Sequence, residues 1–197
     1  SDTLSAVMAA RRYYGEPMAA FSIPAAEHST ITSWGRDGEQ AAYANMLKQF
    51  AAPGKLVAVV SDSYDLWNAI DNLWGEELKE AVIASGGTLV VRPDSGDPVA
   101  VVSATLEKLM AKFGFRLNGK GYKVLPDCVR VIQGDGISLT SIEAILAEMK
   151  RRGLSAENIA FGMGGELLQK VDRDTQKFAM KASAVCINGE WRDVWKD

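Results

Sequence analysis

Residues 88–102 read TLVVRPDSGDPVAVV, and this stretch carries the pattern that decides the fold. Its short apolar run, rich in β-branched residues, ends on Arg92 and Asp94, and a Ser-Gly turn then leads to Asp97 and Pro98. Aspartate caps the free N–H groups at the start of a helix, and proline fits the first helical position. The stretch therefore predicts a strand, a polar turn and a helix in direct succession.

The same order recurs along the chain. Four further apolar runs end in polar or glycine-rich clusters, and they read FSIPAAEH (21–28), LVAVVSDSYD (56–65), CVRVIQGDG (128–136) and NIAFGMGG (158–165). Together with the opening stretch they begin 30 to 40 residues apart, which is the length of one β-loop-α unit. Continuous apolar runs suit strands that are covered on both faces, as in parallel sheets. The alternation predicts an α/β fold, either doubly wound or a (β/α) barrel.

Turn and cap residues mark the elements between these runs. We expect Asp62 or Ser63 to cap the helix after the second run. Ser138 or Thr140 is expected to cap the helix after the fourth run. A sixth apolar run, SAVCI (183–187), leads into Asn-Gly, a dipeptide that favours a tight β-hairpin.

The composition is that of an ordinary globular protein and indicates against several classes of function. The 197 residues are 47% hydrophobic and 24% charged with a net charge of −3, so a basic surface for nucleic acid is not expected. No apolar run approaches the roughly 20 residues that span a bilayer, and the first residues lack the apolar segment of a signal peptide. The two isolated cysteines, Cys128 and Cys186, favour free thiols, so we expect a cytoplasmic protein. The chain length suits a single domain over residues 1–197.

The polar clusters at the predicted strand ends indicate a ligand site. In parallel α/β folds, ligands bind at the carboxyl ends of the strands, where side chains that follow different strands meet. The residues in these positions are His28, Asp62, Asp65, Arg92, Asp94, Asp135, Gly162, Gly164 and Gly165. Five polar clusters, each at the carboxyl end of a predicted strand, favour an active site over a set of unrelated loops.

Several of these residues suit a ligand that carries phosphate. His28 is the only histidine, and an imidazole is able to donate to a phosphate or to accept a phosphoryl group. The guanidinium of Arg92 suits phosphate, and the carboxylate of Asp94 suits Mg²⁺ or sugar hydroxyls; the alternative is an ion pair in a surface loop. The glycine-rich segment 161–170 predicts a helix N-terminus that binds an anion, although it matches neither a Walker motif nor the dinucleotide fingerprint.

Several of the quoted motifs resemble those of the nicotinamide phosphoribosyltransferases, in the same order and with compatible spacing. They are SIPAAEHST, VVSDSYDLWNA, VVRPDSGDP, YKVLPDCVRVIQGDG and ENIAFGMGGELLQK. The resemblance covers nearly the whole chain and implies a type II phosphoribosyltransferase with an irregular (β/α) barrel that works as a homodimer. The implied reaction joins nicotinamide to phosphoribosyl pyrophosphate (PRPP) and gives nicotinamide mononucleotide and pyrophosphate. It also implies Mg²⁺ on the diphosphate and ATP as a co-substrate that phosphorylates the active-site histidine.

The resemblance further implies roles for individual residues. His28 would be the phosphorylated histidine beside the diphosphate, Arg92 would contact nicotinamide and phosphate, and Asp94 would bind ribose hydroxyls or the metal. The base pocket and its tunnel would be lined by Ser22, Ile23, Arg130 and Ile132. The ribose and 5′-phosphate would be held by Gly134, Asp135, Gly164, Gly165 and Arg173. The phosphate and ATP region would include Ser61, Asp65 and Lys181.

The number of strands indicates an incomplete barrel. The chain carries five or six strand candidates, whereas a closed (β/α) barrel has eight in about 250 residues. The resemblance also places part of the nicotinamide pocket, including an aromatic residue that stacks on the base, before Ser1. We therefore expect a homodimer partner or a complementing chain to complete the site.

Other functions are compatible with the same residues. One is a non-catalytic module that retains PRPP or phosphate binding, or serves assembly. Another is a nicotinate phosphoribosyltransferase, which shares the fold. A sugar-phosphate aldolase is disfavoured, because no lysine stands at an obvious strand end to form a Schiff base.

Overall fold

The computed structural model describes residues 2–20, 22–162 and 180–195. Its strands are β1 (Leu56–Val60), β2 (Thr88–Arg92), β3 (Arg116–Leu117), β4 (Lys123–Val124), β5 (Val129–Gln133), β6 (Ile159–Phe161), β7 (Ala184–Ile187) and β8 (Glu190–Asp193). Its α-helices are α1 (Asp2–Ala9), α2 (His28–Thr32), α3 (Glu39–Phe50), α4 (Leu66–Asn68), α5 (Lys79–Ala84), α6 (Pro98–Phe113) and α7 (Leu139–Arg151). Helix α1 continues as a π-helix over Ala10–Tyr14 and α4 as a π-helix over Ala69–Glu77, and 3₁₀ turns cover Arg36–Gly38 and Ala156–Asn158. No helix in these ranges is long and apolar enough to cross a bilayer.

Four strands form one parallel sheet in the order β1, β2, β5, β6. Val60 of β1 lies beside Arg92 of β2, and Val91 of β2 lies beside Val131 of β5, so the carboxyl ends of these strands meet at one end of the sheet. Across the described strands the spatial order follows the chain order, whereas a doubly wound sheet reverses direction at its switch point. The predicted α/β class is confirmed.

The first predicted strand, in the run 21–28, is wrong in its extent. Among the described residues of this run, Ala25 alone forms a bridge, parallel to Ala58 of β1. The amide and the carbonyl of Ala58 both bond to this segment, at 2.9 Å each. Pro24 has no N–H with which to extend the ladder, so the pairing stays short. The segment still delivers His28 to the carboxyl end of β1.

The sheet packs against α3 and α6, and α7 packs on α6. The almost fully buried aliphatic residues of this interface include Val57, Val59, Leu89, Val91, Leu106, Leu109, Val131 and Ile145. Burying one such side chain contributes roughly 1.5–3 kcal/mol. The strands were expected to be buried on both faces, and this is confirmed for β1 and β2. The expectation is wrong for β5, where half-buried Arg130 and Ile132 alternate with buried residues.

The helix caps follow the sequence at two sites and depart from it at a third. Asp97 accepts from the backbone N–H three residues on at 2.8 Å and starts α6. Ser138 accepts from the N–H three residues on at 3.2 Å and starts α7. The prediction that Asp62 or Ser63 caps α4 is wrong, because Asp65 accepts from two N–H groups of the first turn at 2.9 and 3.1 Å. Asp62 is instead drawn into contacts with distant parts of the chain.

The predicted hairpin at the Asn-Gly dipeptide is confirmed. β7 and β8 pair in antiparallel register, and Asn188 and Gly189 have φ of 54° and 86°, as a tight type I′ turn requires. Thr32 Oγ1 donates to Val194 O at 2.6 Å. This bond ties the residue after β8 to α2, next to His28.

The π-helical segment after α4 packs closely on α6 through a glycine. Gly75 is buried, and a Cβ at this position would lie 2.6 Å from Ile70 O and 2.6 Å from Lys112 Cγ. Lys112 Nζ pairs with Glu76 Oε1 at 2.6 Å across the same contact. Because a backbone carbonyl blocks the extra methyl group, the contact depends on glycine.

We predict that Gly75→Ala lowers the free energy of unfolding by about 1–3 kcal/mol, the usual cost of overpacking a close contact. Urea unfolding followed by circular dichroism measures the effect. Gly119→Ala is the matched control, because a Cβ at Gly119 meets nothing within 4 Å. Equal unfolding midpoints for the two variants would contradict the close packing at Gly75.

Candidate active site

A cluster of charged side chains lies at the carboxyl ends of β1 and β2. His28 is the first residue of α2, Asp62 follows β1, Arg92 is the last residue of β2 and Asp94 follows it. Because β1 and β2 are paired in parallel up to their last residues, the two loops that leave them start side by side. The sequence predicted this meeting of strand ends, and the structure shows it for these four residues.

Asp62 is the centre of the cluster, and its side chain is 4% exposed. Its Oδ1 lies 3.0 Å from His28 Nε2. Its Oδ2 accepts from Asp94 N at 3.1 Å and from the hydroxyl of Ser95. An ionised carboxylate only accepts hydrogen bonds, so this contact places the proton of the neutral imidazole on Nε2. This contact therefore favours the tautomer with its lone pair on Nδ1.

Asp94 lies between the histidine and the arginine. Its Oδ1 accepts from Arg92 Nε at 3.2 Å and from the terminal NH2 nitrogen of Arg92 at 3.0 Å. Its Oδ2 is 3.9 Å from His28 Nδ1. Arg92 and Asp94 therefore form an ion pair, and this pair belongs to the larger cluster around Asp62.

Arg92 also reaches the loop before α2. Its terminal NH1 nitrogen donates to Glu27 Oε1 at 3.3 Å. Burial disfavours the charged guanidinium, but the charges and hydrogen bonds of Asp94 and Glu27 outweigh it and raise the pKa of Arg92 above its ordinary value. Arg92 therefore stays positively charged within the cluster.

A cavity of about 750 Å³ opens beside this cluster. Its polar side is formed by Glu27, His28, Asp94, Asp135 and Lys181. The opposite wall comes from residues on either side of the β7–β8 hairpin, including Val194 and Trp195. Lys181 Nζ lies 3.8 Å from Glu27 Oε2. The volume and the mixed lining suit a nucleotide-sized ligand.

Two glycines allow the ends of β5 and β6 to come close to the cluster. A Cβ at Gly134 would lie 3.8 Å from Arg92 Nε, and one at Gly162 would lie 3.0 Å from the Cα of Gly134. Gln133 Nε2 donates to Asp135 O at 2.9 Å and holds the turn that presents Asp135. Small residues at these strand ends therefore leave room for the guanidinium and for a ligand.

Three residues of the predicted site point elsewhere. Ser61 is fully buried and lies between Trp74 Nε1, which donates to its hydroxyl at 3.1 Å, and the Val59 carbonyl. Arg130 donates to three carbonyl oxygens in the segment 125–129. The third, Asp65, caps α4 and lines a separate cavity of about 340 Å³.

The remaining predicted residues are distributed as follows. Ser22 is exposed, and Ile23 and Ile132 are half-buried. Gly164, Gly165 and Arg173 lie outside the described residues. The sequence placed Asp62 at a strand end, but its contacts with His28, Asp94 and Ser95 were not predicted. The available signal was its position directly after a buried strand.

The described residues contain no group of three or more His, Cys, Asp or Glu side chains that could hold a metal ion by themselves. The carboxylates that line the cavity beside His28 include those of Asp94 and Asp135.

Known proteins resemble the chain over its whole length. Residues 1–197 match the model of the nicotinate phosphoribosyltransferase (NAPRTase) family. The nicotinamide phosphoribosyltransferase of Xanthomonas campestris pv. campestris (strain 8004) is 63% identical over 197 residues, which cover 100% of this chain and 42% of that protein.

More distant relatives carry the same name. The nicotinamide phosphoribosyltransferase of Mycoplasma pneumoniae (strain ATCC 29342 / M129 / Subtype 1) is 36% identical over 91% of this chain and 42% of its own length. That of Acinetobacter baylyi (strain ATCC 33305 / BD413 / ADP1) is 31% identical over 100% of this chain and 43% of its own length. The chain thus spans about two fifths of the length of these curated relatives. Since the family match extends from the first residue to the last, the chain belongs to the nicotinate phosphoribosyltransferase family.

Proposed function

We propose that this chain supplies the histidine-bearing, diphosphate-binding part of an enzyme that transfers the phosphoribosyl group of PRPP to nicotinamide. The products are nicotinamide mononucleotide and pyrophosphate. One observation carries the proposal: buried Asp62 contacts His28 Nε2 beside a cavity. The same cavity is lined by Lys181 and by Asp94, which pairs with Arg92. The names of the relatives support the same reaction.

In the proposed ATP-dependent step, His28 acts as a phosphoryl acceptor. The lone pair on Nδ1 attacks the γ-phosphorus of ATP, an N–P bond forms, and the bond from that phosphorus to the β,γ-bridging oxygen breaks to release ADP. The positive charge that develops on the ring is stabilised by the Asp62 carboxylate at Nε2, 3.0 Å away.

The proposed transfer step relies on placement of charge more than on a base. The ring nitrogen of nicotinamide carries no proton, so its lone pair attacks C1′ of PRPP directly while the bond from C1′ to the diphosphate oxygen breaks. The transition state has oxocarbenium character, and the electron pair leaves with the diphosphate. Arg92 and Lys181 supply cationic groups for that leaving group. Asp94 and Asp135 supply acceptors for the ribose hydroxyls.

Mg²⁺ belongs to the diphosphate in this proposal. Asp94 and Asp135 would contact it together with ligand oxygens, since the described residues hold no complete cage. When bound, the ion would neutralise charge on the diphosphate. The protein's own part is to hold these carboxylates beside His28 and Arg92.

The assembly proposal follows from the sheet. A parallel sheet whose described strands run in chain order is the arrangement found in (β/α) barrels, so we infer that β1, β2, β5 and β6 form part of such a barrel. Additional strands, from other parts of the polypeptide or from a second subunit of a homodimer, would close it. The half-buried face of β5 would then line the interior.

We predict that His28→Ala abolishes transfer of label from γ-labelled ATP to the full-length protein, because the acceptor nitrogen is gone. Asp62→Asn should lower the labelling rate by at least about 100-fold, because an amide no longer fixes the Nε2–H tautomer or the ring charge. Acid-labile phosphate on the protein, measured over time, reports both effects.

Asp71→Asn is the matched control, because Asp71 is a partly exposed carboxylate that pairs with Lys108 at the π-helix. The Asp71→Asn variant should accept label from ATP at the same rate as the unsubstituted protein. Equal labelling in the His28→Ala variant would refute the acceptor role, and an unchanged rate in Asp62→Asn would refute the orienting role.

We further predict that the full-length enzyme prefers nicotinamide to nicotinate by at least about tenfold in kcat/KM, in keeping with the relatives' names. Product formation from PRPP with each acceptor, followed by chromatography, measures this ratio. A preference for nicotinate would assign the acid as the substrate. PRPP binding without turnover on either acceptor would favour the non-catalytic module.

A further inference from the structure

Another cavity, of about 600 Å³, shares no lining residue with the cavity beside His28. It is bounded by the turn between β3 and β4, the last turns of α7, and residues 154–157. Because residues 154–157 lead into β6, which starts at Ile159, this cavity lies at the amino ends of the strands. The proposed substrate site lies at their carboxyl ends.

The floor of this cavity is apolar. Met149 and Leu154 are almost completely buried in it, at 1% and 2% exposure, and Tyr122 and Leu146 are half-buried beside them. A concave apolar surface of this size, with a few polar groups at its mouth, is typical of small-molecule sites. The apolar part of a ligand would therefore gain from leaving water here.

Two lysines line the same cavity, and both are exposed. They are Lys120 in the β3–β4 turn and Lys150 in the last turn of α7. The structure shows no ion pair of either lysine with a described carboxylate. The two arginines that follow Lys150 differ, since Arg151 and Arg152 both pair with Glu148, at 2.7 and 2.6 Å. The cationic groups that face the cavity are thus left available for a ligand.

One carboxylate shares the cavity, but it is already engaged. Glu157 Oε1 accepts from Asn118 Nδ2 at 2.8 Å and from Ser155 Oγ at 3.0 Å. These two hydrogen bonds lower the pKa of Glu157 and keep it ionised. Among the residues that line the cavity, two lysines accompany one carboxylate, and this excess of positive charge favours an anionic ligand.

We propose that this cavity binds a small amphipathic monoanion, with an aromatic or branched apolar body on the Met149–Leu154 floor and a carboxylate or sulfonate head group at Lys120 and Lys150. The site is separate from the proposed substrate cavity. Affinity would come from burial of the apolar body, and the choice of charge from the two lysines.

The probe for this site is 1-anilinonaphthalene-8-sulfonate, an aromatic monoanion whose fluorescence rises in apolar surroundings. Titration into the full-length protein should saturate at one molecule per chain, and binding should weaken as salt is added. The double variant Lys120→Ala/Lys150→Ala should raise Kd by about tenfold, since each partly exposed charge contributes modestly. Excess PRPP should leave the probe bound.

The matched control is Lys48→Ala/Lys55→Ala, which removes the same charge from two exposed lysines outside the cavity. It should leave Kd within twofold of the original protein. A second variant, Leu146→Asp, keeps both lysines but places a carboxylate in the apolar wall, and it should abolish saturable binding. Far-UV circular dichroism checks that each variant is folded.

Several outcomes would overturn the proposal. They are an unchanged Kd in Lys120→Ala/Lys150→Ala, an equal rise in Kd in the control pair, displacement of the probe by PRPP, and retained binding in folded Leu146→Asp. Each would show that the probe binds elsewhere or that charge at this cavity is irrelevant.

Discussion

The contact between Asp62 and His28 is the interaction on which the rest of the site depends. A carboxylate that is almost fully removed from water is costly unless its oxygens are satisfied. Here one oxygen meets the imidazole, and the other accepts from the backbone of Asp94 and from the hydroxyl of Ser95. Hydrogen bonds to a charged group each contribute about 1.5–3 kcal/mol. The same set of bonds therefore stabilises the carboxylate and joins three separate segments of the chain.

The parallel sheet makes this contact possible. The pairing of Val60 with Arg92 brings two loops to the same place, and the short bridge at Ala25 brings the start of α2 beside them. Gly134 leaves room for the guanidinium of Arg92. Ordinary backbone pairing thus collects a histidine, two carboxylates and an arginine that are up to 66 positions apart in the sequence. The arrangement suits a ligand with phosphate groups and a sugar.

Local patterns in the sequence were enough to predict much of this fold. The β-branched runs at 56–60, 88–92 and 129–133 are strands, and the Asp-Pro pair at 97–98 starts α6. These features depend on neighbouring residues alone, so they are readable from one sequence. The convergence of His28, Arg92 and Asp94 also followed, because parallel strands align their carboxyl ends.

The differences between expectation and structure concern the polar partners that individual side chains take, and for Asp62 these partners are distant in the sequence. Asp62 was expected to cap α4, but it meets residues 32 to 34 positions away. Arg130 turns to the carbonyls of its own preceding loop, and Ser61 is held by Trp74 in the core. Each choice depends on which polar groups lack a partner after the chain has folded. Periodicity and capping rules contain no information about that competition.

The central claim is that Asp62 fixes the proton of His28 on Nε2, and nitrogen NMR of His28 tests it directly. Two-bond ¹H–¹⁵N correlation spectra of the ¹⁵N-labelled full-length protein, recorded above the titration range of the ring, distinguish the two neutral tautomers. The signals of His28 are those that disappear when His28 is replaced by alanine. The account predicts a protonated Nε2 and an unprotonated Nδ1 in the original protein, with loss of that preference in Asp62→Asn. A proton on Nδ1, or an identical pattern in the variant, would contradict it.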